Sequence, residues 1–223
     1  MSFSKTAVAS RGSLGETVYR DLAESLMKGA LRPDERLKIR ELARQAGTSV
    51  TPVRDAILRL VQNGALAMRS PRDIRVPVLA RDQYLEIRQI RLHLEGLAAE
   101  AAARAADAAD IERLAAVIAE NELAFAEHRL DRAIALNQVF HFQLAAIARM
   151  PILGEILLNL WLKMGPVIAA AYEAGGRTMI EHHGHVLDAI RRRDPTAARR
   201  AIRLDIKSGG DVILRTGILF EPR

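Results

Sequence analysis

The stretch from Arg40 to Leu60, RELARQAGTSVTPVRDAILRL, constrains this chain most, because it fits two short helices joined by a glycine turn and little else. Leu42, Ala43 and Ala46 make an apolar face on the first helix, and Gly47 supplies a turn residue that takes positive φ without steric cost. Ser49 or Thr51 can cap the second helix, with Pro52 in its first turn, where a missing N–H costs nothing. Val53, Ile57, Leu58, Leu60 and Val61 bury one face of that helix and leave Thr51, Arg54, Asp55, Arg59 and Gln62 pointing outward. A polar helix face presented just beyond a tight turn suits the major groove of DNA.

The flanks extend the pattern. Glu16 to Lys28 carries Val18, Leu22, Leu26 and Met27 at helical spacing, and Gly29 to Leu37 is a proline-containing connection. Asn63-Gly64 stops the second helix, after which Ala65–Arg69 and Asp73–Val78 read as two short strands around Ser70-Pro71-Arg72, a hairpin wing. Residues 1–78 hold 14 of the 33 basic and 8 of the 27 acidic residues, an excess of six, while the remainder is balanced at 19 of each. The whole net charge of +6 therefore sits in the half that carries the turn motif, as a polyanion partner for that half requires.

Residues 13–78 resemble the winged helix-turn-helix domain of the GntR family of bacterial transcription regulators, through LRPDERL at 31–37, RELA at 40–43 and TPVRDAILRL at 51–60. The resemblance implies that Arg40, Thr51 and Arg54 touch DNA. Val50 stands where the family often has an arginine, which removes one arginine-to-guanine contact and leaves a side chain suited to a thymine methyl. The wing lacks the usual glycine near Asp73, but Arg69, Arg72 and Arg75 are available for phosphates or a minor groove.

Residues 1–12 read as a flexible basic arm with no signal peptide. No apolar run is expected to approach bilayer-spanning length, and zero cysteines exclude a disulfide framework or thiolate metal site. The expectation is a soluble, cytoplasmic protein. Beyond Val78 the composition turns to Ala, Leu, Arg and Glu, so residues 79–223 are expected to be all-helical, with helices near 81–106, 109–128, 129–149, 152–175, 177–193 and 195–215. The fold class is mainly α: a winged helix-turn-helix followed by an all-α bundle.

The second part resembles the ligand-sensing FCD domain of the FadR-like branch of the same family, through EIRQIRLHLEGLAAEAAA at 86–103, LNQVFHFQLAAIARMPIL at 136–153 and EHHGHVLDAIRRRDPTAARRAI at 181–202. Asn137 and His141 stand at i and i+4, one turn apart on one helix face, and can share one small ligand. The resemblance implies that His183 and Asp205 converge with them on a divalent metal, Asp205 standing where the family usually has a histidine. One amide oxygen, two imidazoles and a carboxylate suit Zn first, with Ni, Mn or Fe(II) as alternatives. His185 could replace His183 if the helix is rotated, His182 reads as solvated, and His93 and His128 as surface or helix-packing residues. The resemblance also sets one arginine of the first helix near an effector. Arg88 is preferred; Arg91 fits that role and a solvated pair with Glu95 equally well.

Two function classes follow. In one, a homodimeric regulator, a repressor by expectation, binds a short inverted-repeat operator in double-stranded DNA, and a small carboxylate at the metal modulates that binding. In the other, a metal-dependent enzyme uses the His/Asp centre and the winged helix only tethers it to DNA. Neither a nucleophile elbow nor a phosphate loop is found for the enzyme.

Overall fold

Val18, Leu22 and Leu26 recur one turn apart, and α1 (Arg11–Met27) buries them against Val53, Ile57 and Leu60 of α3 (Val50–Gln62). This computed structural model describes residues 11–221. The expected arm at 1–12 lies almost wholly outside them, and Arg11 and Gly12 belong to α1, which starts five residues before the expected Glu16. Between α1 and α3 come β1 (Arg36–Leu37) and α2 (Ile39–Gln45), whose Leu42 and Ala43 are buried. Gly47 takes φ +62 in the turn, and Ser49 occupies the cap position of α3 in extended conformation without a side-chain cap bond.

The wing is a three-stranded antiparallel sheet in the order β1, β3 (Asp73–Arg75), β2 (Ala67–Ser70), with Leu37 opposite Ile74 and Met68 opposite Ile74. The sequence predicts a connection throughout 29–37. Its last two residues form a strand too short to show alternation, recognisable only once β3 lies beside them.

The helical part runs α4 (Arg81–Ala105), α5 (Ala108–Ala126), α6 (Leu130–Ile147), α7 (Pro151–Gly175), α8 (His183–Arg191) and α9 (Pro195–Arg215). Asp107 and Asp194 accept hydrogen bonds from Asp110 N and Ala197 N, capping α5 and α9. Helix α4 packs along α9, α5 against α6, and α7 crosses α4, α6 and α9. The expected single helix at 177–193 is broken. Gly175-Gly176 ends α7, a 3₁₀ turn (Gly176–Met179) buries Met179, and α8 begins only at His183. That break sets His183 in the first turn of a short helix.

The expectation that no apolar segment reaches spanning length is corrected by α7. Residues Pro151–Tyr172 have mean hydropathy 1.5 over such a length. The apolarity is that of a core helix: Leu157, Trp161, Leu162, Met164, Val167 and Tyr172 are buried among neighbouring helices.

Helix α7 also meets α1. A Cβ at Gly165 would lie 2.4 Å from Met27 Cα and 2.5 Å from Leu26 O, so only glycine permits this approach. Gly165→Ala is expected to lower stability by about 1–3 kcal/mol, read as a drop of several degrees in Tm. Gly154→Ala, with nothing within 4 Å of its added Cβ, is the control and should leave Tm unchanged or slightly raised.

Candidate functional site

The residues expected to face DNA lie on three local elements. Arg40 opens α2, Thr51 and Arg54 lie in the first turn and a half of α3, and Arg69 and Arg72 sit on the β2–β3 hairpin; all five are exposed. Arg40, Arg54 and Arg72 line one concavity together with Arg36, Lys38 and Val50. Among the described residues no acid pairs with Arg40, Arg54, Arg69 or Arg72. Arg36 donates to the carbonyl of Arg72 at 2.6 Å, fixing the wing tip to β1. Two other arginines of this part are paired within the protein. Arg75 is committed to Asp73 at 2.8 Å and Asp34 at 3.2 Å, and Arg59 pairs with Glu16 at 2.7 Å over the Tyr19 ring, on the α1 side of α3.

The second site lies inside the helical part, where Arg91, Glu95, Asn137, His141, His183 and Asp205 are all buried. Helix α6 contributes Asn137 and His141, α8 His183, α9 Asp205, and α4 Arg91 and Glu95. His141 Nε2 is 3.5 Å from Asp205 Oδ2, and His183 Nε2 is 3.6 Å from Asp205 Oδ1. One ligand atom from each of these three residues fits within 4.8 Å of the others. Asn137, His141, Asp205, Arg91 and Trp161 line a cavity of about 30 Å³. The His183 ring stacks on Phe140 at 3.8 Å between centroids, and the Arg91 guanidinium lies 4.7 Å from the Trp161 ring centroid.

The polar atoms here are poorly satisfied from within the chain. Both ring nitrogens of His183, Oδ1 of Asp205, the Tyr172 hydroxyl and Trp161 Nε1 are buried without a hydrogen-bond partner among the described residues. Such a concentration is costly unless a further group serves them. Two imidazoles and a carboxylate, with ligand atoms near the separation that bonds of about 2.1 Å impose, fit a borderline divalent cation.

Burial shifts the titrations. It pushes the Asp205 carboxyl up to about 6, outweighing the opposing pull of His141 and Arg91. It also drives His183 well below the usual imidazole value, with His141 adding to the effect. For Glu95 burial acts upward, but Arg91 and His141 together overcome it and hold the carboxyl at about 2.

Arg91 is not on a solvated face. It is 5% exposed, pairs with Glu95 at 2.5 Å and borders the cavity. Arg88 instead donates to Asp211 at 2.7 Å and to the Lys207 carbonyl at 3.1 Å. His182, expected to be solvated, is buried against Ser208 Oγ at 3.1 Å, because the break before α8 turns it inward; His185 is exposed and away from Asp205. Sequence reasoning missed Glu95 as part of the site, although its helical spacing from Tyr84, Arg91 and Ala102 sets it on the buried face of α4. Trp161 and Phe140, which wall the imidazoles, carried no signal beyond core hydrophobicity.

A pH dependence follows from Asp205. Its folded value lies above the unfolded one, so as pH rises from about 4 to 6 the unfolded chain ionises freely while the folded chain must ionise in its core. Metal-free protein should lose up to about 3 kcal/mol of stability from this group across that window. Urea melts of chelator-treated Asp205→Asn against wild type should show the variant gaining relative stability from pH 4 to 6; a pH-independent difference would contradict the shift.

The gntR family of bacterial regulatory proteins matches residues 14–76, and the FCD domain matches residues 86–208. The chain is 34% identical over 194 residues to the HTH-type transcriptional regulator McbR of Escherichia coli K12, covering 85% of this chain and 88% of the relative. It is 23% identical over 191 residues to the HTH-type transcriptional repressor RspR of the same organism, covering 85% and 84%. The solved structure of E. coli McbR/YncC superposes with a TM-score of 0.86 at 31% identity, over 93% of this chain and 99% of that one. These relatives are regulators of transcription, not enzymes. With a helix-turn-helix and wing joined to an FCD domain, the chain belongs to the GntR family of bacterial transcription regulators.

Proposed function

We propose that the chain is a cytoplasmic repressor that binds a short inverted-repeat operator as a homodimer, and that a small organic acid at a metal in the FCD domain changes its operator affinity. The convergence of His141, His183 and Asp205 in the core, beside a small cavity that His141, Asp205, Asn137 and Arg91 line, carries this reading. The metal supplies a Lewis-acidic coordination position that attracts a carboxylate. His141, His183 and Asp205 would hold it, with Asn137 one turn from His141. Arg91 is the better placed partner for the acid, since Arg88 is engaged by Asp211.

The cavity of about 30 Å³ accommodates an ion and roughly one water. A bound acid is therefore compact and displaces lining side chains on entry. Trp161 and Ile168, on α7 to either side of Gly165, are lining residues within about one turn of the contact with α1. The repressor assignment draws on the name of the relative RspR. One recognition helix per chain supports a symmetric dimer on a two-half-site operator.

Elemental analysis of the purified protein, after incubation with Zn, Mn and Ni, tests the metal. His141→Ala and His183→Ala should each deplete it and lower Tm, whereas wild type without metal would remove the site. In thermal-shift screens of small carboxylic acids at saturating metal, Arg91→Ala should abolish stabilisation by the acid; loss of the response in Arg88→Ala alone would move the role there.

For DNA, Arg40→Ala or Arg54→Ala should weaken binding to a selected operator by roughly 5- to 150-fold without changing Tm. Arg72→Ala should weaken binding evenly across sequences and reduce the salt slope by about 1. Unchanged operator affinity in both Arg40→Ala and Arg54→Ala would sink the assignment of the interface.

A further inference from the structure

Helix α4 brings a carboxylate into the core that faces no cation site of its own. Glu95 is 0% exposed, with Oε1 2.5 Å from Arg91 Nε and Oε2 2.5 Å from His141 Nδ1. An ionised carboxylate only accepts hydrogen bonds, so Nδ1 of His141 carries a proton. In a neutral ring that leaves Nε2 as a lone pair, and Nε2 is the atom that faces Asp205 Oδ2 at 3.5 Å.

We infer that Glu95 is a positioning residue for the metal centre: it fixes the tautomer and ring orientation of His141 so that Nε2 is presented to the cation, and Arg91 anchors Glu95 in turn. The inference builds on the metal-site reading above. Its basis is the arrangement itself, since a histidine ligand whose second nitrogen donates to a carboxylate is held in one tautomer and made a stronger base. Arg91 thus has two edges in use. Its Nε holds Glu95, and its guanidinium, stacked beside Trp161, borders the cavity where the acid would sit. The support of the metal ligand and the recognition of the acid then share one arginine. If Arg91 and Glu95 were only an i,i+4 pair stitching the helix, their removal would leave the imidazole and its affinity for metal untouched.

The test uses the full-length protein with Zn²⁺ alone. Long-range ¹⁵N NMR of histidine-labelled, metal-free wild type should show His141 as the Nδ1–H tautomer. Zn²⁺ affinity, measured by competition with a chromophoric chelator, should fall roughly 10- to 100-fold in Glu95→Ala. Glu95→Gln keeps an acceptor oxygen, so it should retain the tautomer and lose less affinity than Glu95→Ala. An Nε2–H tautomer in wild type, or folded Glu95 variants with wild-type Zn²⁺ affinity, would overturn the inference. Should Glu95→Ala fail to fold, the wild-type tautomer and Glu95→Gln decide. Wild type that takes up no Zn²⁺ would overturn the metal reading, and this inference with it.

Discussion

Charge taken out of water must find its compensation locally, and the helical domain is organised around that demand. An ion moved into a protein interior forfeits several kcal/mol of hydration, recovered only by close partners of opposite charge or by hydrogen bonds. Arg91, Glu95, His141 and Asp205 form a buried chain of this kind, running from α4 across α6 to α9. The chain is well satisfied at the Arg91 end and poorly satisfied at the Asp205 and His183 end, where buried atoms have no hydrogen-bond partner among the described residues. That imbalance has a direction: the fold contributes a preorganised donor set at one end and rigid support at the other. The aromatic walls reinforce it, because Phe140 and Trp161 hold the imidazole rings by face and edge and keep the surroundings apolar.

The winged helix-turn-helix and the helical bundle meet through close backbone contact between α1 and α7. Gly165 lets α7 lie against the backbone of Met27, and Gln138, next to Asn137 on α6, reaches the Met27 sulfur at 3.3 Å. The end of α1 therefore touches two of the helices that carry cavity-lining side chains. Helix α1 in turn supports α3 through a shared apolar core. Close-packed interiors transmit displacement rather than absorbing it. A shift of Trp161 is thus one helical turn from the DNA-binding domain.

Much of this was legible in the sequence, for reasons that differ by residue. The α2–α3 turn was readable because Gly47 and Pro52 act locally, and Asn137 with His141 because i,i+4 spacing is a geometric identity of the helix. Strand β1 was not readable, since two residues hold no period and their pairing partner lies 37 or more positions away. Glu95 was read only as the partner of Arg91 in a surface pair, because that spacing looks the same on either face of a helix; only the burial of Tyr84, Arg91 and Ala102 with it separates the two. The pairing of Arg88 with Asp211 is a tertiary fact with no local trace in the sequence.

Helix α7 has a consequence for synthesis. Its 22-residue apolar stretch leaves the ribosome after α4, α5 and α6 but before α8 and α9, and in the finished fold half of that stretch is buried. Until α9 is made, the face it will cover has no partner. A nascent segment of this length and hydropathy is also what the membrane-insertion machinery selects. Glu155 and Lys163 interrupt it with charge at little cost to the core, since neither is buried. In the growing chain those two residues weigh against insertion while the helix awaits its neighbours.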